Sequence, residues 1–339
     1  MFENFFGNTA ATKALEQALA QDRLSQTLLF AGPEGIGKAT LARRLAAGLL
    51  GHADWIERDD LSLPHNRETI ADREKWAADK RNDDPLLFSS HPDFVTFAPD
   101  GPLRQLSIPQ TRLLKDRAQY LPHQGKRRVF LIDRVDRANE QAANSLLKTL
   151  EEPPAHLIVI MTAENAYDLL PTIRSRSVPI QFAPLSDDEM TQFARVRNLD
   201  RAERRIALAA GSPGVALSLD LDAYDKRRAS MLTLLKVAAG AAPFASWAPV
   251  AETIGRNRSE KLELYLKALY ELLRDMLILQ HGEGEIRNRD IRGELETIAR
   301  KVDFAWLRKA VAKTDEMVEL VRRNIQKGIA LDALIAELR

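Results

Sequence analysis

The 339-residue chain contains no cysteine. That removes disulfides, thiolate zinc sites and cysteine nucleophiles together, and it fits the cytoplasm as the expected location. Long apolar runs are missing too. None approaches the roughly 20 residues of a membrane span, so no membrane partner is expected. The N-terminus, Met1-Phe2-Glu3-Asn4-Phe5-Phe6, lacks the basic flank and cleavage site of a secretory signal. Neither sign of charge is in excess. The formal net charge of +1 argues against a strong autonomous nucleic-acid binder, so any DNA contact is local or shared with partner chains. With 45% apolar and 29% charged residues, the composition is that of a globular protein. Its length allows two or three domains with real cores.

What is present begins with Gly32-Pro33-Glu34-Gly35-Ile36-Gly37-Lys38-Ala39. Seven of its eight positions fit the phosphate-binding pattern G-x-x-x-x-G-K-[ST]. An apolar run, Thr27 to Ala31, leads in as a buried strand, and Leu41, Leu45 and Leu49 follow at helical spacing. Gly32, Gly35 and Gly37 let backbone N–H groups cradle phosphate oxygens at a helix N-terminus, and Lys38 reaches the outer phosphates. Ala39, however, lacks the hydroxyl that holds Mg²⁺. Thr40 lies one residue late, about 100° round the helix, and points away from the metal. ATP or ADP is therefore the expected cofactor, held without significant turnover and with a poor magnesium site.

Segments 27–31, 93–98, 128–133, 157–162 and 178–182 read as strands separated by helical patterns, the signature of a parallel sheet with crossover helices. Residues 51–90 form a polar insertion. Within it, Glu68 to Asn82 is partly helical, and Asp59-Asp60 and Asp83-Asp84-Pro85 read as surface loop. After Phe182 no strong strand candidate remains. Leu262, Leu266, Leu269, Leu273, Met276 and Leu277 make one apolar stripe, and Leu307, Val311, Met317 and Val321 another; both read as core packing between helices. A break near Leu221–Arg227 divides the helical part.

Arg128-Val129-Phe130-Leu131-Ile132-Asp133 is an apolar strand ending in an acid that, in phosphate-loop proteins, helps to hold Mg²⁺. Many such ATPases follow this Asp with a Glu that orients water. Here the position is Arg134, a cation that cannot act as a base. Two independent parts of a hydrolytic site are thus missing.

Taken together these stretches resemble the clamp-loader branch of the AAA+ ATPases, found in bacterial DNA polymerase III. Asn139 to Pro154, containing Ala143-Asn144-Ser145-Leu146-Leu147-Lys148-Thr149-Leu150-Glu151-Glu152-Pro153-Pro154, is similar to the family's A-N-A-L-L-K-T-L-E-E-P-P segment almost letter for letter. Gly125-Lys126, His91-Pro92-Asp93-Phe94, Ser175-Arg176-Ser177 and Ala210-Gly211-Ser212-Pro213-Gly214 agree with it. The C-terminal helices match in character and in isolated asparagines such as Asn288 and Asn324.

The resemblance implies a five-stranded AAA+ domain over 1–183, a helical lid over 184–228 and a helical collar for oligomerisation over 229–339. It also implies a hetero-pentamer with motor (gamma/tau-type) and delta-type subunits, acting on a sliding clamp and primed DNA. A motor subunit carries a hydroxyl, an acid and an arginine where this chain has Ala39, Arg134 and Gly214, so the implied role is that of a stator with little or no ATPase. The motif Ser175-Arg176-Ser177, Ser replacing the family's Cys, implies that Arg176 is an arginine finger given in trans; Arg174 is the competing arginine. The family's four-cysteine zinc module cannot exist here, and no zinc is expected. His52, His65 and His91 read as solvated surface histidines. The alternative function is a self-sufficient AAA+ ATPase that uses Thr40 or water for the missing hydroxyl.

Overall fold

The computed structural model describes residues 1–257, 260–282, 284–321 and 326–339. Asn324, one of the asparagines noted in the sequence, lies outside the described residues. All five expected strands are present: β1 (Thr27–Ala31), β2 (Phe94–Phe97), β3 (Arg128–Ile132), β4 (Leu157–Ala163) and β5 (Val178–Gln181). They form one parallel sheet in the order β2-β3-β4-β1-β5. Strands β1 to β4 are buried along their whole length, as continuous apolar runs in a parallel sheet should be. β5 is an edge strand and mostly exposed.

Side chains alternate across the sheet. Leu29, Val95, Phe97, Phe130, Ile132, Val159 and Met161 pack with Leu114, Leu146 and Leu150 of helices Ile108–Ala118 and Glu140–Glu151. Helix Lys38–Leu50 packs on β3 and β4. By internal packing the described chain divides into two compact units. The first is Met1–Asn198 with Gly211–Val215; the second is Leu199–Ala210 with Ala216–Arg339. The stretch 184–228 is therefore shared between units, because Gly211–Val215 packs on the phosphate loop.

The insertion corrects three sequence readings. It forms helices Ala53–Glu57, Pro64–Arg73 and Ala78–Asp83. Arg43, 2% exposed, reaches across to Glu57 at 2.9 Å and Asp60 at 2.5 Å. Asp59, expected in a surface loop, is buried and accepts the Ser90 N–H at 3.1 and 3.2 Å. Burial pushes its carboxyl above the usual range, against the pull of Ser90 and Arg43. His52 and His65 are exposed as expected, but His91 is fully buried. Short loops fold these polar residues under the helices, and a one-dimensional pattern cannot show that. Among the described residues no group of three His, Cys, Asp or Glu side chains is gathered as for a metal ion.

His91 Nδ1 accepts the Asp93 N–H at 3.1 Å, which leaves the proton of the neutral ring on Nε2, where it has no hydrogen-bond partner. Burial, aided by His52, holds the imidazole below its usual pKa. The unfolded chain takes up this proton near pH 6.5. Its contribution to stability is therefore present above that pH and lost as pH falls through the folded value. Asp59 works in the opposite sense. Replacing His91→Gln is expected to flatten the fall in Tm between pH 7 and pH 5; parallel curves for parent and variant would show that His91 is not its cause.

In the second unit the stripe Leu262, Leu266, Leu269, Leu273 and Met276 is buried on helix Leu262–His281, with Leu277 partly buried against the same core. Of the other stripe, Leu307 and Met317 are buried whereas Val311 is exposed. The break expected near Leu221–Arg227 falls at Leu219-Asp220, between helices Pro213–Ser218 and Leu221–Ala238. Leu221–Ala238 is a single helix whose first turn is capped by Asp220, accepting Ala223 N–H at 3.0 Å. Asn288 is 1% exposed and central to a polar network: Tyr224 Oη and Arg228 Nη1 donate to its Oδ1, and its own amide donates to buried Asp275.

Candidate functional site

The phosphate loop leaves the C-terminal end of β1, and its glycines are required by geometry. Gly35 has φ +72 and Gly37 φ +100; the latter caps helix Lys38–Leu50 without a side chain. A Cβ on Gly35 would lie 2.5 Å from Ser212 Oγ, and one on Gly32 would lie 2.5 Å from the Phe182 carbonyl oxygen. The approach at Gly35 comes from a clasp that motif reading missed. Ser212 Oγ donates to Glu34 O at 2.8 Å, and Gly214 N–H donates to Gly35 O at 2.8 Å. Gly214 therefore does more than lack an arginine. A Cβ there would meet Gly35 O at 2.7 Å, so no side chain fits while the loop keeps this shape.

Lys38 is buried and faces inward. Its Nζ donates to Gly32 O at 2.5 Å and Pro33 O at 2.6 Å. Burial lowers its pKa while the charge of Asp133 opposes the shift. To grip a phosphate, the amine must exchange these loop carbonyls for the ligand. Thr40 is half-buried in the same first turn.

Asp133 follows β3 and accepts the Thr162 hydroxyl from β4 at 2.7 Å. Burial pushes its carboxyl upward, against the Thr162 hydrogen bond and the charges of Arg134 and Lys38. The topology thus gathers Gly32, Gly35, Gly37, Lys38, Thr40 and Asp133 at one edge of the sheet. Arg134 sits there in a left-handed conformation, φ +55, its N–H donating to Thr162 Oγ1 at 2.8 Å. Its guanidinium pairs with Glu164 at 2.8 Å and Asp136 at 3.2 Å. A glutamate at 134 would face Asp136 and Glu164 as like charges, so the absent catalytic acid is matched by its surroundings.

Arg176 lies elsewhere. It precedes β5, and in a parallel sheet that is the edge opposite the phosphate loop. The five residues of β1, at roughly 3.3 Å each, separate the two edges by about 16 Å. Arg176 lines an open notch of about 530 Å³ with Ser25, Leu150, Glu151, Ser175, Ser177 and Val178. Its Nη1 donates to Thr172 O at 3.0 Å and its Nη2 to Glu151 at 3.1 Å. The competing Arg174 lies over the Tyr167 ring, 5.1 Å from its centroid. Glu151 stands in the segment that carries the resemblance, but nothing in its spacing marked it as a partner of Arg176.

Among the described residues no helix is long and apolar enough to cross a membrane. A family model described as DNA polymerase III, delta subunit, matches residues 78–186. DNA polymerase III subunit delta' of Pseudomonas aeruginosa is 26% identical over 329 residues, covering 91% of this chain and 90% of that protein. The Escherichia coli delta' subunit is 29% identical over 214 residues, 62% of each chain. DNA polymerase III subunit gamma/tau of Mycobacterium tuberculosis is 32% identical over 176 residues, 52% of this chain. The chain spans only 27% of that gamma/tau protein. Over nine-tenths of its length this chain is similar to DNA polymerase III subunit delta' of Pseudomonas aeruginosa.

Proposed function

We propose that the chain is a delta prime-like stator of a DNA polymerase III clamp loader. It assembles with gamma/tau-type motor and delta-type subunits in a hetero-pentamer and helps to load the sliding clamp on primed DNA. Arg176 is its arginine finger, given in trans to ATP held by a neighbouring motor subunit. One observation carries this reading. Arg176 stands at the sheet edge opposite its own phosphate loop, so the nucleotide it serves belongs to another chain. The site at Gly32–Ala39 can hold ATP or ADP without significant turnover: Lys38 is engaged by loop carbonyls, Ala39 offers no metal ligand and Arg134 offers no base. Zinc has no part in it. The near-neutral charge fits DNA contact shared across the assembly.

The test is ATP binding and hydrolysis by the chain alone, then with its motor partner. The isolated chain is expected to stay far below about 1 s⁻¹, the low end of common enzyme turnover. Restoring the hydroxyl with Ala39→Ser is expected to leave it there, because Arg134 still occupies the base position. Turnover near 1 s⁻¹ in either protein would support a self-sufficient ATPase instead.

A further inference from the structure

We propose that Glu151 is the positioning residue for Arg176, holding the finger withdrawn until a neighbouring phosphate displaces it. This rests on the trans reading of Arg176. Glu151 is the last residue of helix Glu140–Glu151, where the negative end of the helix dipole disfavours a carboxylate. The cation of Arg176 compensates it at 3.1 Å. Thr172 O holds the second arm of the guanidinium, and Nε is buried with no hydrogen-bond partner. Arginine has five N–H donors, and its fork matches phosphate as well as carboxylate. A nucleotide phosphate entering the notch offers more negative charge than one carboxylate and repels Glu151 as it draws Arg176 out.

The side chains of Arg176 and Glu151 are 29% and 56% exposed. An ion pair so wetted is weak, enough to bias the finger and not enough to lock it. Without the carboxylate, the extended pose is populated before DNA arrives.

The experiment uses the complete assembled loader and reads ATPase with and without primed DNA. Glu151→Gln keeps size and hydrogen bonding but removes the charge. It is expected to raise the DNA-independent rate about two- to five-fold, the range set by a part-exposed ion pair, and to leave the DNA-stimulated rate unchanged. Glu151→Asp is expected to restore the low basal rate. In an Arg176→Ala background, Glu151→Gln is expected to change neither rate. A basal rate unchanged in Glu151→Gln, while Arg176→Ala still abolishes stimulation, overturns the positioning role alone. A fall in the stimulated rate also overturns it, since Glu151 would then support the active pose. An Arg176→Ala loader with full activity removes both this role and the trans finger.

Discussion

Replacing Arg176→Ala in an assembled loader is expected to lower the DNA-stimulated ATPase of the neighbouring motor by about 10³–10⁵, the range an arginine finger supplies to phosphoryl transfer. The size follows from what the guanidinium does. On the proposed trans reading it would stabilise charge that develops on the transferred phosphoryl group, as preorganised donors do where water is excluded. Loss of the local ion pair should hardly change Tm, because the pair with Glu151 is part-exposed and worth at most about 1 kcal/mol. A large rate effect without a stability effect is therefore the signature. Arg176→Lys keeps the charge but loses the planar fork and should recover only part of the rate. Arg174→Ala, which removes a side chain stacked on Tyr167, should leave the rate nearly intact. If Arg176→Ala retained the parent rate, the finger would have to be sought elsewhere on this edge.

Replacing Arg73→Ala is expected to cost about 3–5 kcal/mol, the usual penalty for breaking a buried ion pair from one side. Arg73 Nε lies 3.1 Å from both carboxylate oxygens of Asp100, and Nη2 lies 2.7 Å from Oδ2. Arg73 also bonds the Asp84 carbonyl and stacks on Trp76, 4.6 Å from the ring centroid. The two charged side chains are 4% and 6% exposed, so alanine leaves the Asp100 carboxylate without its cation in a dry site. The apolar core beneath this region is small. Its apolar cluster is Ile70, Leu86 and Ala98, flanked by Leu61 and Phe88. For a unit of this size, Tm should fall by roughly 10 °C. Amides of helices Pro64–Arg73 and Ala78–Asp83 should lose hydrogen-exchange protection first. A shift within a degree, with protection intact, would mean that the ion pair is incidental. The insertion is thus held by polar pairs, Arg43 with Glu57 and Asp60 and Arg73 with Asp84 and Asp100.

Strands β1 to β4 were legible because a parallel strand buried on both faces must be apolar throughout, and such runs are visible in one dimension. The phosphate loop was legible because positive φ and close backbone approach demand glycine at fixed spacing. The insertion was not legible: its order depends on Arg43, Arg73 and Asp59 meeting partners far along the chain, and a charged residue looks the same whether paired or solvated. The break near Leu221 was legible, but Asp220 as the cap of the helix that follows it was not, because an N-cap aspartate and a loop aspartate are identical as letters.

Gly32, Gly35, Gly37 and Lys38, the missing hydroxyl at Ala39 and the cation at Arg134 were all set by residue type, which decides what chemistry a position can perform. Where that chemistry is aimed depended on the fold. Packing turned Lys38 onto the loop carbonyls, seated Gly214 against Gly35, paired Arg134 with Glu164 and Asp136, and carried Arg176 to the opposite edge of the sheet beside Glu151. Local sequence encodes donors, acceptors and backbone freedom. The direction in which an arginine points is set by strand order, through contacts between residues that are distant in the chain.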